Sequence, residues 1–279
     1  MDSLPFIKMH GLGNDFVVLD ARARAVELTP ARIRAMGDRH RGAGFDQLLT
    51  LLPSDRADCY MRIDNSDGSP AGACGNGTRC VGRLLLEETG RESVTIDSPG
   101  GILTVSRAEG GLYTARMGRP RTDWRAVPLA REMDTLHVDL TVGPLSDPVA
   151  LSMGNPHAVF FVPDAEAVAL EEVGPQVESH PLFPDRVNVE VVSRRPDGTF
   201  RLRVFERGAG ITQACGSGTC AAYAAARMRG LADGPVRIDL DGGPLWMDMD
   251  ADGNVLMTGA ASLVFRGSFG PEVFGDAAP

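Results

Sequence analysis

The sequence predicts an α+β fold of two pseudo-symmetric domains, each a curved, mostly antiparallel β-sheet or barrel wrapped around a central apolar α-helix. Three observations carry that expectation. Ala73-Cys74-Gly75-Asn76-Gly77-Thr78 returns 141 positions later as Ala214-Cys215-Gly216-Ser217-Gly218-Thr219. The same offset aligns Met61-Arg62-Ile63 with Leu202-Arg203-Val204, Gly13-Asn14 with Gly154-Asn155, Gln47 with Asn188 and Asn65 with Glu206. An offset of 142 then aligns Val94-Thr95-Ile96-Asp97 with Val236-Arg237-Ile238-Asp239, so the chain reads as two copies of one unit. Finally, each cysteine opens a small, apolar run, Thr78 to Leu86 and Thr219 to Met228, and a helix that is apolar nearly all round is a core helix. Strand-like runs outnumber helical ones in both halves.

In the first half, Phe6 to Asp20 reads as strand, glycine turn, strand, with Asn14 at the turn's exit. Thr29-Pro30 opens a helix with Thr as N-cap and Pro at its first position, running to about Arg39. Strands are expected at Leu48–Leu52 and Asp58–Asp64, the second ending in the turn signal Asn65-Ser66-Asp67-Gly68. The first cysteine helix follows, stopped by Gly90, then strands at Ser93–Ser98, Ile102–Val105 and Leu112–Met117. In the second half, strands are expected at Leu136–Val142, Val149–Met153 and Val159–Val162. A helix from Asp164 to Val173 should be capped by Asp164 and stopped by Gly174-Pro175. Strands at Arg186–Val192 and Phe200–Phe205, the second cysteine helix, and strands at Val236–Leu240, Leu245–Met249 and Val255–Met257 complete it. We place the domains at residues 1–118 and 119–262, with 263–279, which has no counterpart in the repeat, returning to the first. The site is expected in the cleft between them.

The 279 residues suit two domains of this size, and 43% hydrophobic with 23% charged residues is ordinary for a globular chain. A formal net charge of −9 gives no electrostatic reason for nucleic acid or an anionic membrane as partner. No apolar run reaches the length of a membrane span, and MDSLPFIKMH lacks the pattern of a signal peptide. With five cysteines, an odd number, this points to free thiols in a reducing cytoplasm.

Cys74 and Cys215 each stand at the N-terminus of a helix, where backbone N–H groups and the positive dipole end collect. Such an end lowers a thiol's pKa from about 8.5 toward neutrality and also binds carboxylates. Two thiols on opposite sides of a carbon suit inversion of a stereocentre, one removing a proton and the other delivering one. Zinc is the competing reading for Cys74, Cys80, Cys215 and Cys220, but C-x5-C and C-x4-C inside helices differ from the short turn spacings of structural zinc sites, so no metal is expected. Cys59, Cys80 and Cys220 read as small buried residues. Singly, Asn14, Gln47, Asn65 and Asn188 are ordinary turn or cap residues; their shared spacing makes them candidate ligands of a polar substrate. His157 and Glu206 are candidate proton-shuttling partners, and Arg207, which aligns with Ser66, is a one-sided carboxylate clamp.

Met9-His10-Gly11-Leu12-Gly13-Asn14-Asp15-Phe16, Gly44-Phe45-Asp46-Gln47, the two cysteine motifs, Gly154-Asn155-Pro156-His157, Arg186-Val187-Asn188 and Glu206-Arg207-Gly208-Ala209-Gly210 resemble the diaminopimelate epimerase family of pyridoxal-phosphate-independent amino-acid racemases. The resemblance covers essentially the whole chain. It implies interconversion of LL- and meso-2,6-diaminopimelate for lysine and peptidoglycan synthesis, in a cytoplasmic homodimer without metal or cofactor. It implies that Cys74 and Cys215 are the acid–base thiols, helped by His157 and Glu206 respectively. Asn14 and Gln47 would hold the reacting amino group, and the amides of Gly75, Asn76, Gly216 and Ser217 its carboxylate. Asn65, Asn155, Asn188, Glu206 and Arg207 would recognise the distal end. A racemase of another amino acid, of the histidine or proline type, is the alternative within enzymes, and a four-cysteine zinc or interaction module the alternative outside them.

Overall fold

The computed structural model describes residues 3–274. The first half comprises β1 (Leu4–Gly11), β2 (Asn14–Asp20), α1 (Pro30–Gly37), β3 (Gln47–Leu52), β4 (Cys59–Asn65), α2 (Gly75–Thr89), β5 (Ser93–Ser98), β6 (Gly101–Arg107) and β7 (Tyr113–Arg116). There follow β8 (Thr141–Val142), β9 (Leu145–Ser146), β10 (Val149–Ser152), β11 (Pro156–Phe161), α3 (Leu170–Glu178), β12 (Asn188–Arg194), β13 (Phe200–Glu206) and β14 (Gly210–Thr212). Next come α4 (Gly216–Met228), β15 (Val236–Leu240), β16 (Gly243–Met249), β17 (Val255–Gly259) and β18 (Ser262–Phe269). One compact unit runs up to Ala115 and resumes at Ala260; the other is Arg116–Gly259. In the first unit β18 lies antiparallel to β1, Leu4 opposite Phe269; residues 275–279 of the returning segment lie outside the described residues.

The α+β class holds, and the sheet pairings give the repeat a physical form. In the first unit β1–β2 is antiparallel, β2–β3 parallel, β3–β4 antiparallel, β4–β5 parallel and β5–β6 antiparallel. In the second, β10–β11, β11–β12, β12–β13, β13–β15 and β15–β16 run through the same sequence of directions. The registers repeat as well: Phe16 pairs with Gln47 where His157 pairs with Asn188, and Cys59 with Ile96 where Phe200 pairs with Ile238. Parallel neighbours need a crossover connection. Each unit therefore carries two helices across its sheet, α1 and α2 in the first, α3 and α4 in the second.

The two helices of a unit take opposite roles. In the second unit α4 touches β10 and β11 near one end of the sheet and β16 and β17 at the other, so the sheet curls around it. Its Ala221 to Ala226 stretch, Tyr223 included, is buried. In the first, α2 packs on β1 and β2 and on β5 and β6 in the same way. The outer helix α1 covers the other face, with Ile33 and Met36 packed among Val17, Leu19, Leu48 and Phe45. Strands buried on both faces are near-continuous apolar runs, as Phe16 to Leu19 is and as Leu48 to Leu51 is but for the buried Thr50. The Thr29 hydroxyl accepts from Arg32 N, and Pro30 is the first residue of α1, as expected.

Two expectations fail in the second unit. Leu136–Val142 is no strand before Thr141: Val138 and Leu140 are buried as their alternation suggests, but Val138 N–H goes to Pro148 O and Leu140 N–H to Val138 O. The helix expected at Asp164–Val173 begins only at Leu170 and runs through Gly174-Pro175 to Glu178. Asp164 instead closes a local turn onto Glu166 N, and the carbonyls of Ala165 and Val168 are taken by the Arg203 guanidinium, which removes helical acceptors. Gly174 is a packing glycine. A Cβ there would lie 2.6 Å from the Phe205 ring.

That reading has a sign. Were Gly174 only a helix stop now lying inside a helix, Gly174→Ala would gain about 1 kcal/mol of helix propensity. The contact with Phe205 requires the opposite, a loss of about 1–3 kcal/mol from overpacking, measured as a lowered urea midpoint at unchanged slope.

Candidate active site

Both repeated cysteines are helix N-caps. Cys74 has extended backbone (φ −151°, ψ 96°), and its Sγ accepts from Gly77 N at 3.2 Å; Cys215 (φ −110°, ψ 111°) accepts from Gly218 N at 3.3 Å. The thiol takes the place that Ser, Asp or Asn usually fills at this position. Thr78 Oγ1 and Thr219 Oγ1 donate back to the Cys74 and Cys215 carbonyls at 2.9 and 2.7 Å. Glycine three residues after each cysteine lets the thiol lie against the helix. A Cβ on Gly77 would sit 2.9 Å from Leu49 Cδ1 and 3.1 Å from Cys74 Sγ. A Cβ on Gly218 would sit 2.7 Å from Glu190 Oε1 and 3.2 Å from Cys215 Sγ. The N–H groups of Gly75 and Asn76, and of Gly216 and Ser217, open the two helices beside the thiols.

In the first unit Asn14 donates from Nδ2 to Asp46 Oδ2 at 2.9 Å, which turns its Oδ1 toward Cys74 Sγ at 3.9 Å and Asn76 Nδ2 at 3.4 Å. Asn76 is oriented in turn by the buried Arg79, whose guanidinium donates to Asn76 Oδ1 at 2.8 Å. Behind Asn14, Asp15 and Asp46 exchange backbone bonds and share Arg39, and Lys8 binds Asp15. Burial raises the Asp15 pKa, but the bonds from Arg39 and Lys8 prevail and hold it at about 2. Gln47 and Asn65 are cross-strand neighbours: Gln47 Nε2 donates to Asn65 Oδ1 at 3.1 Å, and Asn65 Nδ2 to Ser69 Oγ at 3.1 Å. The repeat thus gathers Cys74, Asn14, Asn76 and their partner Asp46, which the sequence reading left without a role.

The second unit's set is differently wired. Asn155 Nδ2 donates to Ser217 Oγ at 3.2 Å, and Ser217 Oγ lies 3.6 Å from Cys215 Sγ. Asn155 Oδ1 lies 3.0 Å from His157 Nε2, and His157 Nδ1 lies 2.7 Å from Glu190 Oε1. Both ring nitrogens are engaged here, and through Nε2 the ring supports Asn155. His157 and Glu190 are fully buried, and Glu190 Oε2 has no hydrogen-bond partner among the described residues; an unsatisfied buried acceptor costs about 1–3 kcal/mol. Glu206 accepts from the Thr212 hydroxyl across β14, a short strand not foreseen from sequence. Asn188 is buried and straps two stretches of backbone together: its Nδ2 donates to Pro156 O at 2.8 Å and its Oδ1 accepts from Arg207 N at 3.0 Å. The Arg207 guanidinium donates to Asp185 O on the exposed side.

One expectation about acidity is corrected. The Cys215 pKa is pushed well above its ordinary value near 9.0, first by burial and then by the Glu206 and Glu190 carboxyls; the bonds from Ser217 and Gly218 N oppose this without reversing it. In this state Cys215 is a thiol, not a thiolate. Burial above all carries Cys59 and Cys80 up to about 12, consistent with their reading as core residues. Among the described residues no disulfide joins the five cysteines, and no group of three or more metal-ligating side chains is present.

Comparison with known proteins now bears on this geometry. The sequence pattern of the diaminopimelate epimerase family matches residues 6–122 and 149–264. The chain belongs to the diaminopimelate epimerase family. It is 52% identical over 264 residues to the diaminopimelate epimerase of Rhodospirillum centenum, covering 94% of this chain and 91% of that one. It is 49% identical to that of Acidiphilium cryptum, covering 94% and 95%. Among solved structures, a Bacillus anthracis phenazine biosynthesis protein of the PhzF family superposes with a TM-score of 0.69 at 19% identity, over 96% of this chain and 99% of that one. A hydroxyproline epimerase from Agrobacterium vitis does so with a TM-score of 0.66 at 17% identity, over 100% and 95%. At such identities the structures speak for the fold alone.

The acidity assignments predict a labelling order for this member of the family. Alkylation needs the thiolate, so at pH 8 iodoacetamide should modify half-buried Cys74 well before Cys215, Cys59 and Cys80. Cys215 should label faster only as the pH climbs past the ordinary thiol range. Peptide mass spectrometry reads both, and Cys215 labelling as fast as Cys74 at pH 8 would contradict the raised pKa.

Proposed function

We propose that the protein is a cofactor-independent diaminopimelate epimerase, interconverting LL- and meso-2,6-diaminopimelate with Cys74 and Cys215 as its two acid–base groups. The observation that carries this reading is the pair of cysteine N-caps in a chain of this family. A thiolate takes the α-proton from one face of the carbon. The negative charge spreads onto the α-carboxylate, where the helix-start N–H groups of Gly75, Asn76, Gly216 and Ser217 stabilise it. The other thiol then gives its proton to the opposite face and becomes the thiolate, so the configuration inverts and no proton is lost overall. Cys215, held as a thiol by its surroundings, is the donor in the direction that starts from this state. A free α-amino acid proton is a far weaker acid than a thiol, so exclusion of water around the reacting carbon has to contribute.

Asn14 Oδ1, turned outward by Asp46, is an acceptor suited to the reacting ammonium, with Gln47 beside it on the same unit. Asn65, Asn155, Glu206 and Arg207 are assigned to the distal amino and carboxyl groups, with Asn188 holding the Arg207 backbone in place. We assign His157 to the support of Asn155. The reaction supplies precursors for lysine and peptidoglycan, and we place the enzyme in the cytoplasm as a homodimer; no helix among the described residues is long and apolar enough to cross a membrane.

The decisive experiment is incubation with LL-diaminopimelate in deuterated water, without metal or pyridoxal phosphate and with proline and histidine as controls. Deuterium at the α-carbon of meso product, and none in the controls, is the expected result. Exchange into a control alone would move the substrate to another amino acid, and no exchange in folded, reduced protein would end the epimerase reading. Cys74→Ala and Cys215→Ala should each lower epimerisation by at least about a thousandfold while leaving the unfolding midpoint within a few degrees. Near-normal turnover in both would refute the two-thiol mechanism.

A further inference from the structure

The offset of 141 that superposes the cysteines also superposes Asn14 on Asn155, Phe16 on His157 and Leu49 on Glu190. Beneath Cys74 the pair behind the helix start is therefore Phe16 and Leu49, both apolar and buried; beneath Cys215 it is His157 and Glu190, both polar and buried. The fold does not require the polar pair, because the same strand register is built without it in the first unit. The asparagines above these pairs are oppositely turned. Asn14 gives its N–H2 to Asp46, which can only accept, and so presents its oxygen to Cys74 and Asn76. Asn155 presents its N–H2 to Ser217, and its oxygen faces His157 Nε2. An oxygen can only accept, so His157 Nε2 must carry a proton.

We propose that Glu190 is a positioning residue of the Cys215 half-site, holding His157 with a proton on Nε2 and thereby fixing Asn155 as a hydrogen-bond donor to Ser217. A carboxylate buried with a neutral ring would be an uncompensated charge in a dry interior. The pair is therefore net neutral in either of two forms. In one the carboxyl keeps its proton and donates it to Nδ1; in the other the ring holds both protons beside the carboxylate. Nε2 is protonated in both. Burial pushes the Glu190 carboxyl up, against the opposing effect of His157. Without Glu190 a neutral ring is free to move its proton to Nδ1. Its bare Nε2 then calls for the Asn155 N–H2, which leaves Ser217. The two asparagines, equivalent by repeat, thus present opposite polarity: an acceptor toward Cys74 and a donor to Ser217.

The test has a spectroscopic arm that is independent of any substrate, and a kinetic arm that rests on the epimerase reading. Protein labelled with 15N-histidine should show a His157 resonance, identified by its loss in His157→Phe, with Nε2 protonated from pH 6 to 9. A bare Nε2 in the unmodified protein overturns the proposal, and this measurement stands even if a variant fails to fold. In Glu190→Leu, which installs the residue of the first unit, the proton should divide between the two ring nitrogens. kcat/KM for diaminopimelate should fall at least about tenfold, with the thermal midpoint unchanged or raised. Retention of a fully Nε2-protonated ring, or kcat/KM within about twofold of the parent, overturns it. If the parent protein is itself inactive on diaminopimelate, the assigned reaction fails while the resonance of His157 still decides the role of Glu190.

Discussion

The start of a buried helix is the constraint on which both half-sites depend. An inner helix inside a curled sheet has to begin somewhere, and its first N–H groups cannot be left unpaired in the interior. Here a thiol closes that end, accepting from Gly77 N in one unit and Gly218 N in the other. The cap places sulfur and the helix-start N–H groups within one turn of each other. Glycine at the third helical residue is the sterical condition, since Leu49 in one unit and Glu190 in the other press against the position where a Cβ would project. Capping, packing and reactivity are thus one local structure, present twice because the chain carries it twice.

Duplication supplies the frame, and departures from it supply the chemistry. The β-pairings repeat in direction and register, yet the groups behind the two asparagines differ: a salt-bridged acidic pair, Asp15 and Asp46, in the first unit, and His157 with Glu190 in the second. Cys215 also sits in a more buried, more acidic setting than a helix start by itself would provide, and burial first, with the carboxyls of Glu206 and Glu190 behind it, overrides the favourable bonds from Ser217 and Gly218 N. Two sites that began as equivalents can in this way hold one thiol as a donor. A two-base inversion requires such inequality at every instant, because one sulfur must be protonated whenever the other is not.

The strand pattern and both core helices were legible because alternation and small-residue runs are local signals. Ser93–Ser98 and Val236–Leu240 are strands with the expected bounds, and Gly90 ends α2 in the left-handed region at φ 68°. The failures share a physical cause. The helix expected at Asp164 was lost to Arg203, which arrives from β13 and takes the Ala165 and Val168 carbonyls. Gly174-Pro175 looked like a stop because the Phe205 ring that demands the glycine comes from another strand. The parallel pairs within each unit follow from which strands become neighbours, and no local pattern carries that.

Among the site residues, the cysteines, asparagines, Gln47, Glu206 and Arg207 were visible through the repeat and through resemblance to the family to which the chain belongs. Asp46 and Glu190 were not, although a carboxylate at the repeat position of Leu49 is a signal that the alignment of the two halves contained. By itself the sequence determined that there are two similar units, that each presents a cysteine at a helix start, and which polar side chains accompany it, because periodicity and spacing are properties of the chain. Only the tertiary structure decided which way each amide faces, that a carboxyl is buried behind Cys215, and which way the Cys215 pKa moves. Those depend on distances between residues far apart in the chain and on how much water remains near them.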